Sequence, residues 1–542
     1  MKKILVWALA VCLLTGLAGL TAASAAEPPA GVNKIVLYNN SGAGTGAGME
    51  AGSSQAGYDM VQQYIYEQTG TWVEGILGTG TEAKTKLQLM LAGGEQVDLW
   101  WASWREYVDS GVIQPWTDLL PEYPAIVDAW EAWGAWPGVT DADGVIWGMP
   151  RMTPSTPYQI FVRQDWLELL GMAQPATFEE LNAYLYAIQE LDPYGNGGTV
   201  PLGTRLPSEL RYCFAAGFTG KGNGYWLDEA DGQVKPVFLM EGYKDFMQQM
   251  VTWYSDGIFH RECFSWDTNT LRDYITRGQV AATACWYSSI TGREASLVDT
   301  LTQTNAIVEF EKYPYLYNIS KTGILGTSGT YMETHTGVQA QSLLMHVGCK
   351  DPKAALEFIS WQYEEWENYQ TAAAGIKDMH WRYDPDVEDA ETNHLVTGWK
   401  DDKGTAMFMT ANGTLSYTNE LLYAGNFNAG IGLPNEVKST TFDATTGRQN
   451  MHNFWLQSGL NRFETAMKPE LDYSTGWNSV ALEANVPHNG DITTYFDEET
   501  LKFITGTRPM AEWDAFIDEL YKTGLQDRID EYTLQYNELN AN

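Results

Sequence analysis

Residues 34–100 decide the fold, and they read KIVLYNNSGAGTGAGMEAGSSQAGYDMVQQYIYEQTGTWVEGILGTGTEAKTKLQLMLAGGEQVDLW. The apolar run 34–38 predicts a buried strand, and the glycine-rich loop after it predicts a turn into a helix near 58–68. The next elements of the series are a strand near 71–76, a helix over 83–92 and a strand near 97–100. Because strands alternate with helices, we expect an α/β domain with a mostly parallel sheet.

Polar and aromatic residues follow the strands of this series. In an open α/β sheet, the ligand crevice lies outside the carboxyl ends of the strands. Asn40 and Ser41 come directly after the first strand, so we predict that they donate or accept hydrogen bonds to a polar ligand. Trp100, Trp101 and Trp104 end the third strand, and we take Trp101 as the ligand-facing residue of that group.

The glycine loop also contains GAGTGA at 42–47, which matches the dinucleotide fingerprint G-x-G-x-x-G/A. Runs of Gly, Ala and Ser produce such matches easily. The N-terminal residues, described next, also predict export away from the cytoplasmic nicotinamide pool. We therefore reject a nucleotide site.

The first residues have the pattern of an export signal. Lys2 and Lys3 precede an apolar run over 4–20, and small residues end the segment at 23–25. This pattern predicts a signal peptide over residues 1–25, hence an exported protein on the outer face of the cytoplasmic membrane or in the periplasm. Cys12 follows Val11 where a lipid-anchor motif has a small residue, so lipid anchoring is the minority alternative.

Composition and spacing argue against several classes of function. The chain has 33 Lys plus Arg against 69 Asp plus Glu, a net charge of −36 that repels nucleic acid and anionic lipid. Its seven histidines form no H-E-x-x-H motif, and no G-x-S-x-G motif is present, so we predict that the protein is not an enzyme. Four cysteines outside the signal segment are too sparse for a disulfide framework, and their pairing stays open: Cys213, Cys263, Cys285 and Cys349.

Five segments carry a resemblance to a known family. They are KLQLMLAGG at 86–94 with VDL at 97–99, GVIQPWTDLL at 111–120, DGVIWGMPR at 143–151, VRQDWL at 162–167 and FITG at 503–506. In this order they resemble the family 1 extracellular solute-binding proteins of carbohydrate ABC importers. The similarity is greatest to the subgroup that binds alginate oligosaccharides and polysaccharide fragments.

The resemblance implies two α/β lobes, each with a largely parallel sheet, which close over a ligand by hinge motion. We expect lobe one to contain residues 35–154 and about 330–400, and lobe two residues 155–329 and about 401–542. The implied function is to capture an oligosaccharide outside the membrane, as a monomer, and to pass it to membrane-embedded importer subunits. Two alternatives stay open: a non-sugar ligand on the same scaffold, and an extracellular polysaccharide-active enzyme.

Aromatic residues are the strongest candidates for sugar contacts, because flat rings pack against the apolar faces of sugars. The chain contains 22 Trp and 30 Tyr. Trp286 and Tyr287 end a strand-like run, and the resemblance implies that a tryptophan at the place of Trp286 stacks on the ligand. Tyr158 lies at the predicted crossover between lobes, and Trp381 follows a segment that the family places near the ligand.

Residues 192–198, DPYGNGG, resemble the family's calcium loop D-P-D/N-G-N-G-K. Tyr194 replaces an acid or amide, and Thr199 and Val200 stand where the family has an acidic pair. Of the side-chain ligands, Asp192 and Asn196 remain, whereas Ca²⁺ prefers six or more oxygens. We therefore predict no cofactor, with a retained Ca²⁺ as the alternative.

Overall fold

The structure is a computed structural model of the chain. It describes residues 28–39, 55–77, 82–131, 135–150, 158–286, 316–318, 324, 326–328, 342–365, 367–368, 371–372, 376–377, 381–383, 394–397, 440–443, 448–450 and 478–539. The predicted signal peptide lies outside these residues. Within them, no helix combines the length and apolar character that a membrane span requires.

The described elements alternate in type along much of the chain. The strands are β1 (Lys34–Asn39), β2 (Trp72–Leu77), β3 (Leu99–Ala102), β4 (Tyr158–Arg163), β5 (Val200–Gly203), β6 (Tyr225–Asp228), β7 (Gln233–Pro236), β8 (Val280–Trp286), β9 (Leu316–Asn318), β10 (Ser342–Met345), β11 (Trp381–Tyr383), β12 (His394–Thr397), β13 (Thr440–Asp443) and β14 (Arg448–Asn450). The helices are α1 (Gln55–Thr69), α2 (Ala83–Gly93), α3 (Pro124–Glu131), α4 (Gln164–Leu170), α5 (Phe178–Leu191), α6 (Pro207–Thr219), α7 (Tyr243–Ser255), α8 (Thr268–Thr276), α9 (Pro352–Glu364), α10 (Ser479–Asn485), α11 (Asn489–Ile504), α12 (Trp513–Leu520) and α13 (Gln526–Leu539).

The first sheet has the strand order β10-β3-β1-β2. β1 is parallel to β2 and to β3, which confirms the predicted β-α-β-α-β series. The fourth strand, β10, comes from far along the chain and is antiparallel, with Ser342 opposite Ala102. Asp98 fixes the start of β3, since its buried carboxylate accepts a hydrogen bond of 2.7 Å from the backbone N–H of Val36.

A large apolar core lies against the first sheet. Ile35 and Leu37 of β1 are almost fully buried, and α9 packs against α1 and α3 beside them. Trp116 and Trp130 fill the same core and are 0% exposed. Burial of such large side chains stabilises this layer by the hydrophobic effect.

The second sheet has the order β5-β8-β4-β9 and is mixed, not largely parallel. β5 is parallel to β8, whereas β4 is antiparallel to both β8 and β9. The physical reason is the connection from β4 to β5. The chain passes through two helices, α4 and α5, and returns to the edge of the sheet at which β4 ends, so β5 runs in the opposite direction.

Helices α5, α6 and α7 cover the second sheet and form its core. Leu181 and Leu185 of α5 are fully buried there with Trp253 of α7. α5 begins with a capping box, in which Thr177 and Glu180 satisfy each other's backbone N–H groups. Helix α11, from the C-terminal part of the chain, packs against α6 and α7 and so joins the layer on the second sheet.

Two further strand groups complete the described architecture. β6 and β7 form an antiparallel pair that α13 covers, and β11 to β14 form a separate sheet in that order. In that separate sheet, β12 of the predicted lobe one pairs with β13 of the predicted lobe two. The division of the chain into lobes stays a prediction.

Candidate functional site

The carboxyl edge of the first sheet leads into a short helical turn, Trp104–Glu106, directly after β3. The Trp104 ring is stacked on the Trp147 ring at a centroid distance of 6.5 Å and an interplanar angle of 9°. The Arg105 guanidinium lies over Trp104, with its Cζ 4.6 Å from the ring centroid. This edge therefore carries an ordered aromatic group beside a cation.

Hydrogen bonds fix the two indoles of this group. Trp104 donates through Nε1 to the carbonyl oxygen of Gly138 at 3.0 Å, and Trp147 donates to the Asp141 carboxylate at 2.7 Å. Burial lowers the pKa of the Arg105 guanidinium, while Glu538 and Asp141 act in the opposite direction. The orientation of the rings is therefore set by the fold before any ligand arrives.

Trp101 lies elsewhere than the sequence suggested. It is 1% exposed and belongs to the core of the first sheet, with Leu99 and Leu343 in the same cluster. All four residues of β3 are buried because both faces of this central strand are covered. We therefore leave Trp101 out of the proposed site. Trp104 is buried as well, at 4% exposed, and packs against the half-buried Trp147 at the edge.

The second sheet presents two predicted site residues at one edge. β5 and β8 are parallel and end there, and β4 is antiparallel to β8 and begins there. The first residue of β4, Tyr158, is directly opposite the last residue of β8, Trp286. Residues distant in sequence, at the ends of two strands, thus become backbone neighbours.

Tyr158 has a partner that the sequence did not reveal. Its ring is stacked on that of Tyr212 of α6, with a centroid distance of 4.2 Å and an interplanar angle of 3°. Both tyrosines are half-buried. Burial raises the pKa of the Tyr158 hydroxyl, and Tyr212 and Glu209 add to the effect, so the phenol stays protonated at neutral pH. A helix tyrosine has no distinctive spacing, so no sequence signal would have found Tyr212.

An ion pair stabilises the loop between β5 and α6 at the same edge. Glu209 is 1% exposed and accepts hydrogen bonds from the Arg205 backbone N–H at 3.1 Å and from its guanidinium Nε at 3.2 Å. Arg205 also donates to Thr268 Oγ1 of α8 at 2.7 Å. The pair, with the bond from Arg205 to Thr268, therefore ties the loop after β5 to the start of α8.

Of the four remaining predicted sugar contacts, the described residues include one, Trp381. Asn40, Ser41 and Tyr287 lie outside the described residues. Trp381 begins β11, opposite Thr397 of β12, in the separate sheet. The described residues thus bring Tyr158 and Trp286 together and do not join Trp381 to them.

The Asp192 loop is closed by its own backbone. Asp192 accepts hydrogen bonds from the N–H groups of Gly197 at 2.6 Å and Thr199 at 3.1 Å, one to each carboxylate oxygen. The Thr199 hydroxyl, followed by the Gly197 and Thr199 N–H groups, lowers the pKa of the Asp192 carboxyl. Asp192 and Asn196 adopt left-handed φ values of 44° and 57°. Each Asp192 carboxylate oxygen thus accepts one loop N–H, and Ca²⁺ prefers six or more oxygens, so the absence of Ca²⁺ stays a prediction.

Metal ligands and cysteines were checked for clusters in the described parts of the chain. No cluster of three or more His, Cys, Asp or Glu residues there is arranged to hold a metal ion. The four cysteines whose pairing was open are buried and form no disulfide in the structure: Cys213, Cys263, Cys285 and Cys349.

Comparison with known proteins gives matches to sugar-importer components. No family model matches the chain. The fructooligosaccharide ABC transporter substrate-binding protein FusA of Streptococcus pneumoniae serotype 4 is 27% identical over 204 residues, 34% of this chain and 36% of FusA. The polygalacturonan/rhamnogalacturonan-binding protein YtcQ of Bacillus subtilis is 30% identical over 122 residues, 22% of this chain and 24% of YtcQ. The matches thus span about a third or less of these curated relatives.

The comparison of structures extends over nearly the whole chain. An extracellular solute-binding protein from Bifidobacterium longum subsp. infantis has a TM-score of 0.65 and 16% identity, covering 94% of this chain and 99% of that one. The chain has the fold of an extracellular solute-binding protein. This confirms the two-lobed α/β fold class, and the matched segments of FusA and YtcQ agree with the resemblance to carbohydrate-importer proteins. FusA and YtcQ are named as binding proteins and not as enzymes.

Proposed function

We propose that the protein captures an oligosaccharide outside the cytoplasmic membrane and delivers it unchanged to the membrane-embedded subunits of an ABC importer. The observation that carries this proposal is the position of aromatic residues at the carboxyl edges of both sheets. The half-buried Trp147, packed on the buried Trp104, lies at one edge, and Tyr158, Tyr212 and Trp286 lie at the other. Open α/β sheets bind ligands at these edges.

The chemistry of these edges suits a sugar. Half-buried aromatic rings pack against the C–H groups of a pyranose or furanose, and polar side chains at the same edge orient the polar rim. Asn40, Ser41, Tyr287 and Trp381 are proposed as additional contacts, on the sequence alone. The names of FusA and YtcQ support a carbohydrate ligand for this chain as well.

Export, the solution state and the absence of catalysis are parts of the same proposal. The predicted signal peptide would place the protein where extracellular oligosaccharides occur, and the relatives' names support an importer as partner. We propose that it acts as a monomer. It binds its sugar through burial and hydrogen bonds and makes no covalent change to it.

Calorimetric titration with an oligosaccharide panel tests the function. The panel contains neutral fructan, glucan and galactan fragments and acidic oligogalacturonate, and we expect saturable binding of at least one. Chromatography after a long incubation checks the catalytic alternative, since products formed only with protein present would indicate an enzyme. Binding of peptides in place of every sugar would refute the carbohydrate assignment.

Trp286→Ala tests the residue that we propose as the main stacking platform. Loss of an apolar contact face should weaken sugar binding by about 1–3 kcal/mol. Thermal melting is the control, because loss of a core tryptophan would instead cost about 3–5 kcal/mol of stability. A large fall in melting temperature with normal affinity in the folded fraction would place Trp286 in the core and not in the site.

A further inference from the structure

We propose that Arg105 and Glu538 form an electrostatic contact between the edge of the first sheet and the C-terminal helices, and that this contact favours the arrangement of the two sheets that binds the sugar. The inference rests on the proposed function and deepens it. It assigns a role in ligand affinity to helix α13, which contains none of the proposed sugar contacts.

Helix α10 contacts elements of both sheets. It packs against the Trp104–Glu106 turn at the edge of the first sheet. Its residue Leu482 packs against the core of the second sheet. A change in the angle between the two sheets therefore has to separate α10 from one of these two surfaces.

Hydrogen bonds fix α13, the helix that carries Glu538, relative to α10. The Asn485 side-chain amide of α10 donates to the Glu531 carboxylate of α13 at 2.9 Å. Thr533 of α13 accepts a bond of 2.9 Å from the backbone N–H of Val234 in β7. The two helices and the β6–β7 pair thus form one packed unit, and this unit meets the edge of the first sheet at the Trp104–Glu106 turn.

The charges at this contact are of opposite sign. The Arg105 guanidinium lies over the Trp104 ring, and its Nε is shielded from water without a hydrogen-bond partner among the described residues. The carboxylates of Glu538 and Asp141 both attract this cation. Asp141 also accepts a bond of 2.7 Å from the Trp147 indole and belongs to the first-sheet edge itself, so Glu538 is the anion that comes from the C-terminal helices.

An ion pair between two packed units acts on only one of their arrangements. It is formed when the Trp104–Glu106 turn and α13 are together, and it is lost when they separate. A contact that is present only in the ligand-binding arrangement raises the population of that arrangement and hence the apparent affinity. Because Glu538 is exposed, dissolved ions should screen its attraction to Arg105.

Calorimetric titration of Glu538→Gln with the tightest neutral oligosaccharide of the panel tests the inference. At about 0.01 M salt, where the Debye length is about 30 Å, the variant should bind about threefold more weakly than the wild type. At about 1 M salt, where the Debye length is about 3 Å, most of this difference should disappear. In an Arg105→Gln background, Glu538→Gln should cause no further loss, since its effect passes through Arg105.

Asp530→Asn is the matched control. Asp530 is another exposed carboxylate of α13, and it accepts a bond of 2.7 Å from the Gln526 side chain of the same helix. We expect wild-type affinity for this variant at both salt concentrations.

Three results would overturn the inference while sugar capture stands. They are equal losses from Glu538→Gln with and without Arg105, a loss that does not depend on salt, and no loss at all. Tighter binding of oligogalacturonate by Glu538→Gln, with unchanged affinity for neutral sugars, would also overturn it, because Arg105 would then recognise an acidic ligand. A wild type that binds no sugar would overturn both this inference and the proposed function.

Discussion

Glu209→Gln removes the negative charge of a buried ion pair and keeps the size of the side chain. Glu209 is 1% exposed and the Arg205 side chain 16% exposed, so the substitution leaves a guanidinium largely shielded from water without its counter-charge. Breaking a buried pair in this way costs about 3–5 kcal/mol, and water reaches Arg205 in part, so we expect about 3 kcal/mol. For a lobe of ordinary size, this lowers the melting temperature by about 6–12 °C.

Differential scanning calorimetry of the ligand-free protein measures the fall in melting temperature. Two further variants serve as controls. Glu122→Gln removes one partner of an exposed pair with Lys353, whose side chains are 58% and 63% exposed, and should give no resolvable change. Arg205→Met combined with Glu209→Gln removes the stranded charge and should recover much of the stability. A Glu209→Gln protein that melts within about 1 °C of the wild type would refute the reasoning.

Two other predictions concern the effect of Ca²⁺ removal and of pH on the stability of the protein. A chelator should leave the melting temperature unchanged, because the Asp192 carboxylate is engaged by loop N–H groups; a drop of several degrees that Ca²⁺ reverses would contradict this. Burial beside Trp266 lowers the pKa of His260 below its usual 6.5, so the folded protein binds this proton more weakly than the unfolded chain. The stabilisation by the neutral His260 ring is therefore complete above about pH 6.5 and declines as the pH falls. The melting temperature of His260→Phe should fall less than that of the wild type as the pH is lowered from about 6.5. Equal pH dependence of the two proteins would count against this assignment.

The sequence predicted the local elements of the first sheet because their signals are local. Buried apolar runs and punctuating glycines indicate where β1 and β2 begin and end, to within a residue or two. Tyr158 and Trp286 were also recognisable as strand ends, since a strand's carboxyl end and a crossover can be read from the order of elements. The ordered motifs identified the family's fold over nearly the whole chain.

The tertiary structure decided what depends on contacts between distant residues. β10 enters the first sheet beside Ala102, 240 residues earlier in the chain, and no local pattern encodes that pairing. Trp101 and Trp104 are both tryptophans near the end of one strand, and packing buries both of them in different apolar clusters, where Trp104 stacks on Trp147. The stacking of Tyr212 on Tyr158 likewise follows from how α6 lies on the sheet, because a ring's partner is set by the packing of elements and not by its position in the sequence.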